Sequence, residues 1–203
     1  MTAVITAEQV KSLRDRTGAG FMECKAALTE TNGDIEEATT VLRKRGLAQA
    51  ARRAGRTTSQ GAVGSYIHMG GKIGVIVEVN CETDFVARTE QFQALVKEIA
   101  MHVAASDPKW VRREDVPPEV IEKEREIYRA QAAQSGKPAP VIEKIVEGKL
   151  GSYCAQVVLL EQPFIREPAT TVAQLIAGAT ATMGENITVS RFARFKVGEA
   201  SGE

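Results

Sequence analysis

The hydrophobic pattern changes its period within residues 73–92, IGVIVEVNCETDFVARTEQF, and this change decides the fold class. In the first half, apolar residues alternate with others, which places Ile73, Val75, Val77 and Val79 on one face of a strand. After residue 86 the apolar positions instead fall within a stripe of about 100° on a helix. They are Phe92, Leu95, Val96, Ile99 and Val103. A strand therefore passes into a helix across the polar stretch between them.

Strand and helix signals continue on both sides of this stretch. Gly70-Gly71 separates two alternating runs, which predicts a hairpin turn before the strand. Helical spacing follows in residues 118–134, 138–157 and 172–184, and ITVSRFARFKV (187–197) alternates again as a final strand. One face of that strand is predicted to carry Ile187, Val189, Ala193, Phe195 and Val197. The pattern indicates an α+β fold in which helices pack on a small antiparallel sheet.

The first 46 residues have the pattern of three short helices. Thr6 and Gln9 make a capping-box pair at the start of the first helix, and Val10 and Leu13 face inward. The glycines of RTGAG supply the backbone freedom that ends it. The pattern predicts a small helical bundle.

The second and third helices meet at a tight turn. Three apolar residues lie near one face of the second helix: Met22, Ala26 and Leu28. Asn32-Gly33 ends this helix, and Asp34 with Glu37 opens the third by another capping-box pattern. The apolar stripe of the third helix consists of Ile35, Ala38, Val41 and Leu42.

We expect two domains. Residues 1–55 form the three-helix bundle with a basic linker, and residues 56–203 form the α+β core. The stretch Thr57–Gly61 has the composition of a flexible joint between them.

The linker is rich in positive charge. Six basic residues fall between Arg43 and Arg56 with no acid among them. Such a segment either contacts nucleic acid or is the solvated end of a helix. No aromatic residue is interleaved to stack on bases, which favours the solvated end. An RNA-binding adaptor that uses residues 43–56 is the alternative.

Composition narrows the class of protein. Of 203 residues, 43% are hydrophobic and 26% charged, which is ordinary for a soluble globular protein. Lys+Arg and Asp+Glu are equal at 26 each, so no global field directs the chain to nucleic acid or membrane. No signal-peptide pattern opens the sequence, and no apolar run approaches the roughly 20 residues of a membrane span. We expect a cytoplasmic protein whose Cys24, Cys81 and Cys154 stay reduced.

Catalytic and metal-binding patterns are missing from the sequence. The two histidines, His68 and His102, have no Ser or Cys nearby in a recognisable nucleophile pattern. A small hydrolase would need His102 together with an acid. Glu82, Asp84 and Glu90 fit no calcium loop, and acids at a helix start simply favour the helix dipole. We expect no catalytic residue, no metal and no cofactor.

Phe85 is the residue that these patterns leave unexplained. It is a ring among acids at a strand-to-helix junction, where loop positions are usually polar and wet. The ring is either a core residue beneath the junction or a group held out for a partner. Composition and spacing leave both interpretations open.

Several motifs spread over nearly all of the chain form a recognisable set. They are VKSLRDRTGAGFMECKAAL (10–28), NGDIEEA (32–38), VNCETDFVAR (79–88), IAMHVAAS (99–106), QSGKP, VEGKL and QPF. Together they resemble the bacterial elongation factor Ts family. The resemblance implies a guanine-nucleotide exchange factor for elongation factor Tu, the GTPase that carries aminoacyl-tRNA. It implies no enzyme activity, cofactor, direct nucleic-acid contact or membrane contact.

The resemblance also implies which residues contact elongation factor Tu. Asp84 and Phe85, with Thr83 and Val86 beside them, match the exchange motif of the family. The ring of Phe85 is expected to wedge between two helices of the GTPase domain of elongation factor Tu, beside the magnesium and phosphate site. The N-terminal bundle corresponds to the ubiquitin-associated-like domain of the family. The other matching contacts are His102, Lys11, Arg14, Phe21 and Met22. Met101 is expected to join them, because it lies next to His102 and faces away from the predicted core.

One departure from the long form of the family bears on assembly. After TDFVARTEQF the chain runs directly into IAMHVAAS, so the second core subdomain and the coiled-coil insertion are expected to be missing. The short form that this matches pairs with itself, and the dimer supplies both halves of the binding surface. We therefore expect a homodimer and a two-plus-two complex with elongation factor Tu.

Overall fold

The computed structural model describes residues 4–199, which group into two compact units. One unit contains the described residues up to Ala62 together with Val79–Leu95 and Gln174–Thr188. The other contains Val63–Glu78, Val96–Ala173 and the described residues from Val189 onward. The predicted division into residues 1–55 and 56–203 remains a prediction.

Helices make up most of the secondary structure. They are α1 (Ala7–Thr17), α2 (Phe21–Glu30), α3 (Ile35–Arg53), α4 (Asp84–Ala87), α5 (Glu90–Ser106), α6 (Pro118–Ala133), α7 (Ala139–Val157) and α8 (Val172–Met183). The strands are β1 (Gln60–Ile67), β2 (Ile73–Cys81), β3 (Pro163–Phe164), β4 (Glu167–Thr171) and β5 (Thr188–Lys196). Strands β3 and β4 pair antiparallel, and the main sheet has the order β1-β2-β5. The α+β prediction is confirmed.

The N-terminal helices form the predicted bundle. The Thr6 hydroxyl accepts the backbone N–H of Gln9, and the Gln9 side-chain oxygen accepts the backbone N–H of Thr6 at 2.9 Å. The predicted capping box is therefore present. Gly18 ends α1 with φ 68°, a left-handed conformation that favours glycine. The core of the bundle consists of Val10, Leu13, Cys24, Ala27, Leu28, Ala38 and Leu42.

The buried face of α2 differs from the prediction. Cys24, Ala27 and Leu28 are buried, whereas Met22 and Ala26 are exposed. Positions 24, 27 and 28 follow the three- and four-residue spacing of one helix face. Positions 26 and 28 lie about 200° apart on a helix, so they cannot share a face. Because Met22 lies outside the buried face, it is available for contact with another molecule.

The third helix is longer than the three-helix pattern required. Asp34 caps α3 by accepting the Glu37 N–H at 2.9 Å, and the helix continues through most of the basic segment. Strand β1 already begins at Gln60. The predicted flexible joint therefore does not extend to residue 61, and only the residues between Arg53 and Gln60 lie outside regular structure.

The main sheet is antiparallel. The predicted turn at Gly70-Gly71 closes the β1–β2 hairpin, in which the His68 N–H bonds the Ile73 carbonyl at 2.9 Å. Strand β5 runs against β2, because Arg191 pairs with Glu78 and the Val197 N–H bonds the Lys72 carbonyl. All five residues predicted for the apolar stripe of α5 are buried. A Cβ on Gly64 would lie 2.3 Å from Val96 Cγ1, so glycine permits close approach of α5 to β1.

The predicted face of β5 is correct only for its first part. Ile187 and Val189 are buried, but Ala193, Phe195 and Val197 are exposed. Two consecutive exposed residues, Ser190 and Arg191, shift the alternation by one position. From there on, the opposite set of side chains points inward, and Arg194 donates to the Ala104 carbonyl at 3.2 Å. The shift places large apolar side chains on the solvent face of the sheet.

Helices α6 and α7 form a long antiparallel pair. Arg125 pairs with Glu147 and Arg129 with Glu143 along its surface. Ala132, Val146 and Leu150 are buried between the two helices. The sequence predicts each helix, but the expectation that a paired-helix insertion is missing is wrong.

Among residues 4–199, no helix is long and apolar enough to cross a membrane.

Candidate functional site

Phe85 is held out to solvent. Its side chain is 80% exposed and sits on α4, a helix of only four residues. A helix this short has no stability of its own in water, so tertiary contacts must hold it. Burying a Phe side chain completely is worth about 1.5–3 kcal/mol. Phe85 gains little of this within the chain, which favours the interpretation that the ring is held out for a partner.

Glu185, in the loop after α8, holds the start of this turn. Its Oε2 accepts the backbone N–H groups of Glu82 at 3.1 Å and Thr83 at 3.0 Å. Its Oε1 accepts the Thr83 hydroxyl at 2.6 Å. Thr83 in turn caps α4 by accepting the Val86 N–H at 3.4 Å. A carboxylate that accepts several hydrogen bonds binds more strongly than a neutral acceptor.

A second set of bonds runs in the opposite direction. The Glu82 carboxylate accepts the Asn186 backbone N–H at 2.7 Å and lies 3.4 Å from the Arg56 guanidinium. The Asn186 side chain, which is buried, donates to the Arg56 carbonyl at 2.8 Å. The turn, the loop after α8 and the residues after α3 are therefore joined in one hydrogen-bond network. We call residues 82–86 the ring-bearing turn; Glu185 and Asn186 are its partners from the loop after α8.

Two buried residues anchor the ring-bearing turn from below. Cys81 is fully buried, and its Sγ lies 3.1 Å from the Thr83 carbonyl, to which it donates. Burial raises the pKa of the Cys81 thiol, so the group stays protonated and can donate. Ala87 is also buried, and its carbonyl accepts the Gln93 side chain at 2.7 Å. The ring therefore projects from a turn that is fixed at both ends.

The acids around Phe85 do not form a metal site. Asp84 pairs with Arg88 at 2.9 Å, one helical turn further on. Glu82 is occupied by the bonds to Asn186 and Arg56. Within residues 4–199, no group of three or more His, Cys, Asp or Glu side chains is placed to hold a metal ion. The charges shape the turn and leave the ring as its principal apolar feature.

The predicted contact residues of the N-terminal bundle are all exposed. Lys11 and Arg14 lie three residues apart on α1, and therefore on one side of it. Phe21 is 49% and Met22 71% exposed at the start of α2. These four side chains are available to a partner, as the predicted contacts require.

The two predicted contact residues on α5 are less available. His102 is fully buried. Met101 is half-buried, although the helical pattern places it opposite the core. The His102 ring packs near Phe164, with 5.9 Å between the ring centroids, and its Nδ1 accepts the Ile165 N–H at 3.3 Å. The structure argues against His102 as a direct partner contact.

The bonds of His102 define its protonation. Gln162 donates its side-chain amide to the carbonyls of Ser106 and Gln156, so its Oε1 faces the ring, 2.8 Å from Nε2. Nε2 therefore carries the proton and Nδ1 is an acceptor. Burial lowers the pKa of His102, and the bond to Gln162 opposes this only in part.

We expect His102 to make the stability of the fold depend on pH. Below the unfolded-state pKa of 6.5, the unfolded chain binds a proton that the folded chain resists. We expect this group to remove stability as the pH falls from 7 toward 5, by at most about 1.4 kcal/mol per pH unit. Urea unfolding of wild type and His102→Gln at pH 7, 6 and 5 tests it, with the exposed His68→Gln as the control. A similar pH dependence in wild type and His102→Gln would contradict the prediction.

The comparisons with known proteins identify the family. The family model described as Elongation factor TS matches residues 5–199. Elongation factor Ts of Koribacter versatilis is 66% identical over 195 residues, which cover 96% of this chain and 89% of the relative. The chain belongs to the elongation factor Ts family. Two further relatives of the same name agree with this. Elongation factor Ts of Thermosipho melanesiensis is 61% identical over 97% of this chain and 100% of the relative. Elongation factor Ts of Geobacter sulfurreducens is 60% identical over 96% of this chain and 90% of the relative.

Membership of the elongation factor Ts family makes this an elongation factor of protein biosynthesis. The ring-bearing turn lies inside the VNCETDFVAR motif on which the resemblance depends. No pattern in the sequence pointed to Glu185 and Asn186, the residues that hold this turn. They lie 102 or more positions away along the chain, and a loop acid has no periodic pattern. Only the fold brings them to the turn.

Neither rival interpretation finds support in the site. A hydrolase would need an accessible base, but both ring nitrogens of His102 are bonded inside the chain. An RNA adaptor would need free cations in residues 43–56. Of the six basic side chains there, Arg45 and Arg56 pair with the acids Glu30 and Glu82 of the same protein, and Arg43 and Arg53 bond glutamine side chains. The elongation factor Ts family therefore remains the better guide to function.

Proposed function

We propose that this protein is a guanine-nucleotide exchange factor for elongation factor Tu. The observation that carries the proposal is the exposed Phe85 ring on a turn fixed by hydrogen bonds. In the proposed complex, the ring wedges between two helices of the GTPase domain, beside the magnesium and phosphate site. Membership of the elongation factor Ts family supports this assignment. The place of action would be the cytoplasm.

The mechanism is a shift between two states of the GTPase. GDP is held by magnesium and by donors around its phosphates. A ring that binds the loosened GTPase better than the tight one shifts the population toward release without touching the nucleotide. Each 1.4 kcal/mol of lost nucleotide affinity speeds release about tenfold if the on-rate holds. Burial of Phe85 supplies about 1.5–3 kcal/mol for this shift.

The contact surface would have two parts in the same unit. Asp84 and Phe85 meet the nucleotide-proximal helices, and Thr83 and Val86 shape the turn behind them. The N-terminal bundle supplies a second contact through its exposed residues, which are Lys11, Arg14, Phe21 and Met22. We assign Met101 a peripheral role and His102 only a supporting one, because that ring is buried. No bond is made or broken, so the protein needs no catalytic residue or cofactor.

We also propose a homodimer, which the exposed face of the main sheet supports. The presence of the long α6–α7 helix pair means that a missing paired-helix insertion cannot be the reason for self-pairing. In its place, six large apolar side chains are 50% to 88% exposed on the solvent face of the main sheet and its hairpin. We call these residues the outer sheet face: Val63, Ile67, Met69, Ile76, Phe195 and Val197. Apolar surface of this kind usually marks a protein–protein interface.

A second copy of the chain is the occupant that suits the outer sheet face. Two such faces related by a two-fold axis make a sheet-on-sheet sandwich, in which each copy buries the same residues. The charges on this face, Glu78 and Arg191, neutralise each other at 2.8 Å, so like charges need not meet. The chain has 26 basic and 26 acidic residues, so two copies do not repel. The complex with elongation factor Tu would contain two copies of each protein.

Thermodynamic reciprocity tests the exchange mechanism. If this protein weakens GDP binding to elongation factor Tu, then GDP must weaken the binding of this protein by the same factor. We expect tight binding to nucleotide-free elongation factor Tu in calorimetry and at least about 10-fold weaker binding with saturating Mg·GDP. Equal affinity for both forms would contradict exchange by differential binding. Salt-sensitive binding to RNA without the GTPase would instead favour the adaptor.

A further inference from the structure

Glu185 makes all of its observed hydrogen bonds to the ring-bearing turn. One carboxylate accepts two backbone N–H groups and one hydroxyl, at 3.1, 3.0 and 2.6 Å. The donors belong to Glu82 and Thr83, the two residues directly before α4. No other hydrogen bond to this carboxylate occurs among the described residues. The side chain is therefore dedicated to the segment that carries Phe85.

Loss of this carboxylate would loosen the turn without removing any apolar core contact. The freed N–H groups are at a half-buried position, where water can replace the acceptor. Thr83 would lose the bond that orients its hydroxyl, and that hydroxyl is the cap of α4. Because α4 has only four residues, its order depends on such contacts. The expected result is a mobile Phe85 on an otherwise unchanged fold.

Phe85 benefits from a fixed turn, because disorder of the ring before binding reduces the free energy that its burial in the partner contributes. A side chain that is already oriented loses less conformational entropy when it enters a partner. The opposing bond from the Asn186 N–H to Glu82, at 2.7 Å, keeps the same two loops in register. Glu185 and Glu82 thus form a reciprocal clamp on the segment before the ring.

We propose that Glu185 is a positioning residue for nucleotide exchange. It fixes the turn that presents Phe85 and thereby raises the maximal rate at which GDP leaves the GTPase. The proposal rests on the proposed function and extends it to a residue outside the exchange motif. Glu185 does not touch the partner and acts only through Phe85.

A double-mutant cycle tests this dependence. The variants are Glu185→Ala, Phe85→Ala and their combination, measured for maximal GDP release from elongation factor Tu and for the concentration that gives half of it. We expect Glu185→Ala to lower the maximal rate about 5- to 10-fold in the wild-type background, and by less than 2-fold in the Phe85→Ala background. Glu36→Ala is the matched control, because it removes a carboxylate bonded to Arg16 and is expected to exchange normally.

Hydrogen exchange supplies a readout that does not depend on activity. Amides of residues 81–89 are expected to exchange faster in Glu185→Ala, while those of α1–α3 keep the wild-type rate. An equal fold-loss in both backgrounds would overturn the proposal, as would a folded Glu185→Ala protein with the wild-type maximal rate. If Glu185→Ala does not fold, Glu185→Ser, whose side chain is too short to reach the two N–H groups, decides in the same way. If Phe85→Ala itself exchanges normally, the wedge in the proposed function fails, which is a distinct outcome.

Discussion

Replacing Phe85 with Ala is expected to leave the fold intact and to slow stimulated GDP release from elongation factor Tu by roughly 10- to 150-fold. The ring is 80% exposed, so its removal opens no cavity in the chain. What is lost is burial in the partner, about 1.5–3 kcal/mol for a Phe side chain. Since a wedge acts on the loosened state, the loss falls on the maximal rate.

Two variants frame this result. Phe85→Leu keeps an apolar side chain of smaller reach and is expected to fall between wild type and Phe85→Ala. Val141→Ala, at a 40% exposed position of α7, is the matched control and is expected to exchange normally. Thermal unfolding monitors the fold in each case. An unfolded Phe85→Ala protein would contradict the exposed position of the ring, and a folded one with full activity would contradict the wedge.

Placing a carboxylate on the outer sheet face is expected to separate the dimer. Ile67 lies beside Gly74 on that face and is 66% exposed, so Ile67→Glu leaves the fold of one copy intact. In a two-fold interface the change occurs twice. Each unpaired carboxylate costs at least about 2 kcal/mol when it loses water. The dimer is thereby weakened by about 4 kcal/mol, or roughly a thousandfold in Kd.

Sedimentation of wild type and Ile67→Glu between 1 and 50 μM measures this effect. The dimer is expected for wild type and for Val4→Glu, a control that places the same charge on an exposed position of the other unit. Ile67→Glu is expected to be a monomer and to lose exchange activity, because one copy would offer only half of the binding surface. A wild-type monomer throughout this range would contradict self-pairing.

Local rules predicted most of the elements. The Thr6 cap, the Gly70-Gly71 turn and the stripe of α5 each depend on neighbours within about one helical turn or one hairpin. Such patterns predict the element correctly whenever the fold buries the apolar face that they define. The family resemblance added Phe85 as a contact, and the structure agrees with the exposure that this requires.

The errors arise where distant parts of the chain decide the outcome. The exposed pair Ser190 and Arg191 shifts β5 by one position, which alternation alone cannot reveal. His102 is on the flank of the apolar stripe of α5, and only the partners Gln162 and Ile165 make its burial favourable. Glu185 is an isolated acid until the fold brings it to Thr83. Long-range hydrogen bonds therefore determine the part of the site that sequence patterns missed.

The most direct test of the account is the release of a fluorescent GDP analogue from a cognate bacterial elongation factor Tu. The protein is added at substoichiometric amounts, so that acceleration requires each molecule to act repeatedly. We predict a large acceleration that is lost with Phe85→Ala and retained with Val141→Ala. No acceleration by a folded sample would contradict the proposed exchange function, and equal acceleration by Phe85→Ala would contradict the role of the ring.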